Sequence, residues 1–89
     1  MINELKEFTE ELVCSLVKEP DLVKVQDFLD EEENPIIEIM VSEADMGRVI
    51  GKGGKMAKAI RTLVQATAFH KGIRRVKINI DGFKSFFYT

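Results

Sequence analysis

The run Val49-Ile50-Gly51-Lys52-Gly53-Gly54-Lys55 puts three glycines into four positions, with a lysine among them, another directly after and two apolar residues just before. Glycine lets the backbone take positive φ and lets another molecule's backbone come close, so the run predicts a sharp turn built for contact rather than for packing. The amphipathic segment that follows opens at Gly54. The turn is therefore expected at a helix N-terminus, where unpaired N–H groups and the helix dipole favour negative charge. A polyanion is the expected visitor.

Downstream, from Gly54 to about Phe69, the residues Met56, Ala57, Ile60, Leu63, Val64, Thr67 and Ala68 fall on one side of a helix at about 100° per residue, while Lys55, Lys58, Arg61 and Gln65 fall on the other. A solvated helix face usually mixes charge signs, and this stripe has no acid. That favours a phosphate track over a merely wet surface. His70 and Gly72 mark the helix end. Ile73–Ile80 then reads as a strand, with Val76, Ile78 and Ile80 inward and Arg75, Lys77 and Asn79 outward, closed by Asp81-Gly82. The last seven residues, 83–89, hold Phe83, Phe86, Phe87 and Tyr88, four of the seven aromatics in the chain. Such a tail is expected to pack either on its own domain or on a partner.

Upstream, Ile2, Leu5, Phe8, Leu12, Val13, Leu16 and Val17 recur at three- and four-residue spacing among charged residues, which predicts an amphipathic helix with Asn3 as its N-cap and Pro20 as its stop. Cys14, beside the apolar stripe, reads as a small filler. Leu22–Leu29 is a strand candidate, and Asp30-Glu31-Glu32-Glu33-Asn34-Pro35 is a connector whose like charges and proline break it. Its spacing matches no calcium loop, so a solvated loop is preferred to a metal site. Ile36–Val41 is the clearest strand, with apolar residues on both faces and hence a central place in the sheet. Ser42-Glu43-Ala44-Asp45 follows as a helix cap, the Ser42 hydroxyl being expected to accept from the Asp45 N–H, and opens a short helix from Glu43 to Ile50.

Eighty-nine residues make one domain, taken as 1–82 with the aromatic tail 83–89 appended. The glutamates of the first twenty residues argue against a secretory signal, no apolar run reaches bilayer length, and the cytoplasm is the expected compartment. One cysteine and one histidine supply neither a disulfide nor a structural metal site, and nothing calls for a cofactor. The net charge of -2 conceals an uneven distribution. Residues 1–46 hold three basic side chains against fourteen acidic ones, and residues 47–89 hold ten basic against Asp81 alone. Local fields follow local charge, so the C-terminal half presents a basic surface unless the acidic half neutralises it across the fold.

The predicted order is helix, strand, strand, helix, turn, helix, strand. A P-loop needs a strand before its glycines and Lys-Ser or Lys-Thr after them, and here Val49-Ile50 closes a helix with no hydroxyl following. A dinucleotide fold needs a βαβ unit with a following acid, and Asp81 is the only acid after the turn. A G-x-x-G turn between two helices remains, the backbone clamp of a KH domain, which holds about four nucleotides. Gly47-Arg48-Val49-Ile50-Gly51-Lys52-Gly53-Gly54-Lys55, followed by Ala59-Ile60-Arg61, resembles KH domains. Together with the leading helix and strand, it is similar to the bacterial single-KH proteins of the KhpA (YlqC-like) family.

The resemblance covers about Leu5 to Asp81. It implies an α+β type II KH fold, α-β-β-α-α-β, with a three-stranded mixed sheet and three helices on one face. It also implies single-stranded RNA as partner, an RNA-chaperone role, a homodimer or pairing with a KhpB-like KH protein, and a link to cell envelope growth and cell shape. The expected RNA-binding residues are Arg48, Val49, Ile50, Gly51, Lys52, Gly53, Gly54, Lys55, Lys58 and Arg61, with Ile39, Val49 and Ile50 as an apolar floor under the bases. No nucleophile and base pair lies beside the turn, so an enzyme is not expected. The rival reading is a protein–protein interaction module whose basic half docks an acidic partner.

Overall fold

The computed structural model describes residues 1–83. Its elements are α1 (Ile2–Cys14), β1 (Lys24–Leu29), β2 (Pro35–Ser42), α2 (Met46–Ile50), α3 (Lys55–His70) and β3 (Lys77–Phe83), with 3₁₀ turns at Pro20–Leu22, Glu43–Asp45 and Lys52–Gly54. This is the expected α+β order. β2 is the central strand, antiparallel to β1 and parallel to β3. Parallel neighbours need a long crossover, and α2, the glycine turn and α3 form it. The turn lies within this crossover, one short helix after the end of β2.

The alternation of β2 sends Ile37, Ile39 and Val41 to one face, where Val25 and Ile78 join them from the neighbouring strands. Leu5 and Val13 of α1, Val49 of α2, and Ile60, Val64 and Ala68 of α3 complete one core on that face. Each large apolar side chain buried there contributes about 1.5–3 kcal/mol. Polar ties hold the helices in register: Lys6 Nζ meets Asp27 Oδ1 at 3.1 Å, joining α1 to β1, and Lys71 Nζ meets Glu4 Oε2 at 3.2 Å, joining the end of α3 to α1.

Several local expectations are corrected. Asn3 lies inside α1, which starts at Ile2 after Met1 and has no side-chain cap. The helix ends at Cys14, well before Pro20, because the Ser15 hydroxyl donates to the Leu12 carbonyl at 2.6 Å and competes with the helical ladder. Leu16 and Val17 still pack against the core from the turn beyond. Leu22 is in a 3₁₀ turn, and β1 begins at Lys24. Leu63, expected inward, is 48% exposed.

β3 is shifted by several residues from the predicted Ile73–Ile80. Gly72, at φ 86°, donates its N–H to the Phe69 carbonyl at 3.0 Å, and Ile73 donates to the Ala68 carbonyl at 2.9 Å. This paired return is a Schellman cap. It assigns Ile73 to the helix end and delays the strand until Lys77, after which the strand runs through Gly82 to Phe83. The packing expected of Phe86, Phe87 and Tyr88 concerns residues outside those described.

Candidate nucleic-acid interface

α2 is only five residues long and stops at Ile50 because Gly51 leaves helical geometry, with φ 77° and ψ 172°. Gly53 and Gly54 follow at φ 64° and 77°, so three left-handed or otherwise non-helical glycines reverse the chain within four residues. Two short hydrogen bonds lock the reversal: Gly51 N–H to the Gly47 carbonyl at 2.9 Å and Gly54 N–H to the Gly51 carbonyl at 3.1 Å. Gly54 is the N-cap of α3 and has no side chain to satisfy the first-turn amides. Those donors and the dipole of a sixteen-residue helix face outward together.

The cations are arranged around this end. Lys52 and Lys55 are exposed at the turn, and Lys58 and Arg61 continue along α3 at helical spacing. Arg61 is fixed by its Nε, which donates to the Ile78 carbonyl at 3.3 Å. A guanidinium has five N–H donors, so most of the group remains for another partner. Arg48 is already engaged: its NH1 donates to Asp45 Oδ1 at 3.2 Å and to the Ala44 carbonyl at 3.4 Å. Of the proposed apolar floor, Val49 and Ile39 are fully buried in the core, so their side chains cannot reach a base, and only half-buried Ile50 comes to the surface.

The residue that sequence reasoning misread is Asp45. It was expected to offer its N–H to Ser42, but the Ser42 hydroxyl instead donates to Asp45 Oδ2 at 3.1 Å. The same carboxylate accepts the Lys18 and Glu19 backbone N–H groups at 3.0 Å each and pairs with Arg48. Asp45 is thus a buried knot joining the segment after α1 to the start of α2, one short helix away from the glycines. The signal was the Ser42-x-x-Asp45 spacing itself, but no local pattern names Lys18 and Glu19 as partners 27 and 26 residues away.

The Lys18 amide, followed by the Glu19 amide, the Ser42 hydroxyl and Arg48, holds the Asp45 carboxyl below the usual carboxylate value against the opposing pull of burial. A depressed folded-state pKa gives stability that is fully present above the unfolded value of about 3.9 and is lost as pH falls through the folded value. Urea midpoints measured from pH 7 to pH 2 are expected to fall below about pH 4, and Asp45→Asn to flatten part of that fall. An unchanged acid limb in the variant would remove Asp45 from this role.

The family model describing the KH domain of KhpA and KhpB matches residues 6–80. The chain belongs to this family. The RNA-binding protein KhpA of Clostridium perfringens is 46% identical over 76 residues, covering 85% of this chain and 99% of that protein. KhpA of Borreliella burgdorferi is 44% identical over 78 residues, covering 88% and 92%.

Among solved structures, Era in complex with MgGDPNP and nucleotides 1506-1542 of 16S ribosomal RNA matches 92% of this chain and 31% of its own, with a TM-score of 0.59 at 21% identity. Aquifex aeolicus Era bound to GDP.AlF4- matches with a TM-score of 0.58 at 22% identity, again over 31% of that chain. At such identity these two show a shared fold. The KhpA/KhpB family is an RNA-binding one, and among the described residues no helix is long and apolar enough to cross a membrane.

Proposed function

We propose that this KH domain binds single-stranded RNA at the Gly51-Lys52-Gly53-Gly54 turn, gripping the sugar–phosphate backbone rather than catalysing a reaction on it. The observation that carries this reading is the convergence of three positive-φ glycines, an uncapped N-terminus of α3 and exposed Lys52, Lys55, Lys58 and Arg61 on one side of the helix. Arg48 contributes through the donors that Asp45 leaves unused, Val49 through its place in the core beneath the turn, and Ile50 as a small apolar contact. No aromatic is adjacent to the turn in sequence. Base stacking, worth about 1–3 kcal/mol per base where it occurs, is absent from this reading, so the turn holds a backbone more firmly than it selects a sequence.

Filter binding of short single-stranded RNA and DNA at several salt concentrations tests the reading. Neutralising about three phosphates of a single strand gives a slope of log K against log salt of roughly -2. A slope near zero would refute it and leave the interaction-module reading.

One small footprint gives limited affinity, and a second copy raises it through effective concentration. Exposed Leu63 and Phe69, with Ala59 and Ala66 on the same outer side of α3, support self-association. A light-scattering mass of one chain at high micromolar concentration would argue against it. The cytoplasmic setting, the chaperone role, a KhpB-like partner and the link to envelope growth and cell shape are further parts of the proposal that rest on the family resemblance. Deleting the coding sequence and scoring cell dimensions tests the last of them.

A further inference from the structure

Of the seven aromatic side chains in the sequence, three stand away from the glycine turn. Phe8 is on α1 against the core, Phe28 is near the end of β1, paired with Ile36 at the start of β2, and Phe69 is in the last turn of α3. The other four are Phe83, which ends β3 and is 37% exposed, and Phe86, Phe87 and Tyr88 just after it. All four follow residue 80, where the match to the family ends.

The topology brings the end of β3 close to the turn. Because β2 and β3 are parallel, α3 runs back between them, and its start shares one end of the domain with the last residues of β3. Gly82 is pressed against the first residue of α2: a Cβ there would stand 3.0 Å from Met46 Cγ. From Met46 to Gly51 is one five-residue helix, about 7.5 Å at about 1.5 Å per residue. Six residues, 84–89, follow Phe83, and a chain of that length spans up to about 20 Å. A strand gripped at the turn is therefore within reach of Phe86, Phe87 and Tyr88, and Lys84 adds a cation beside them. Aromatic faces take up unstacked bases with little regard to identity, while neighbouring cations hold the phosphates. The turn has the cations and lacks the faces.

We infer, on the RNA-binding reading above, that Phe86, Phe87 and Tyr88 are the base-stacking residues of this protein and take up bases of the strand whose backbone the glycine turn holds. Phosphate contact then comes from the middle of the chain and base contact from its end. The protein prefers RNA to the bare backbone of RNA because of the tail, and holds that backbone because of the turn.

Two ligands separate the contributions: an end-labelled single-stranded RNA of about eight nucleotides and an abasic sugar–phosphate backbone of equal length. By fluorescence anisotropy the full chain is expected to bind the RNA about tenfold more tightly than the abasic backbone, the worth of one stacked base. Phe86→Ala/Phe87→Ala/Tyr88→Ala is expected to bind the abasic backbone as the parent does and to lose most of the preference for RNA. Tyr88 is the only tyrosine and the chain has no tryptophan, so emission from the unsubstituted protein reports the tail alone. Saturating RNA, corrected for its absorbance, is expected to quench that emission and the abasic backbone to leave it unchanged. A triple variant that keeps the full preference for RNA would overturn the inference, as would Tyr88 emission that RNA does not alter. Equal weakening toward both ligands would overturn it too, by giving the aromatics a role in the fold. If the parent binds both ligands equally, the stacking fails and the clamp stands; if it binds neither, the RNA-binding reading fails and the stacking with it.

Discussion

Gly51→Ala is expected to destabilise the protein by roughly 3 kcal/mol, while Gly54→Ala costs about 1 kcal/mol; a methyl group in the left-handed region costs about 1–2 kcal/mol, and a clash in packed surroundings adds about 1–3 kcal/mol. Gly54, at φ 77° and ψ 10°, incurs the first term, and Gly51, at φ 77° and ψ 172°, lies in a region essentially confined to glycine and incurs at least as much. Only Gly51 incurs the second. A Cβ there would stand 2.7 Å from Met56 Cβ and 2.8 Å from the Met56 backbone nitrogen, whereas one at Gly54 meets nothing within 4 Å. Met56 is in the first turn of α3 and cannot retreat without moving the helix start. Urea denaturation of the two variants tests the contrast. Equal midpoints would mean that α3 does not start tightly against the turn. RNA affinity is expected to follow the same order, since displacing Met56 also displaces the amides that face the ligand.

That contrast marks what the bare sequence can and cannot convey. Three glycines in four positions announced positive φ, and flanking periodicity announced two helices, because both signals are local. Which glycine is irreplaceable is not local: it depends on Met56 folding back over Gly51. The same division runs through the rest of the chain. The alternation of Ile37, Ile39 and Val41 revealed the central strand, since a strand buried on one face and half-covered on the other has few other ways to be written. The end of α1 was missed because a single serine hydroxyl decided it, and the start of β3 because a Schellman cap consumed Ile73 that alternation alone would give to a strand.

The candidate site shows the same pattern. Charge count and spacing found Lys52, Lys55, Lys58 and Arg61, which the fold leaves exposed on one side of α3. They also suggested that Arg48 is equally available and that Val49 is a contact; an ion pair decides the first point and burial the second. Val49 faces the core because it is the inward residue of a helix too short to have two apolar faces, and Arg48 is drawn to a carboxylate whose importance comes from backbone groups far away in sequence. Arg74, Arg75 and Lys77 are clustered in the sequence itself, but that the β1–β2 connector folds against them is not local information.

The sharpest test of the turn as a phosphate clamp is the double substitution Lys52→Asp/Gly53→Asp. Gly53 has φ 64° and ψ 20°, the left-handed region that aspartate tolerates better than most residues, and a Cβ there meets nothing within 4 Å. Lys52 is exposed and takes part in none of the ion pairs among the described residues. The fold is therefore expected to survive, with a urea midpoint close to that of the parent. The ligand side is affected far more. One charge-assisted hydrogen bond, worth about 1.5–3 kcal/mol, is lost, and two carboxylates now face the phosphates. At about 1.4 kcal/mol per factor of ten, RNA affinity should fall by roughly a hundredfold, and the salt slope should shrink toward zero. A folded double variant that binds RNA as tightly as the parent would move the clamp elsewhere on the domain.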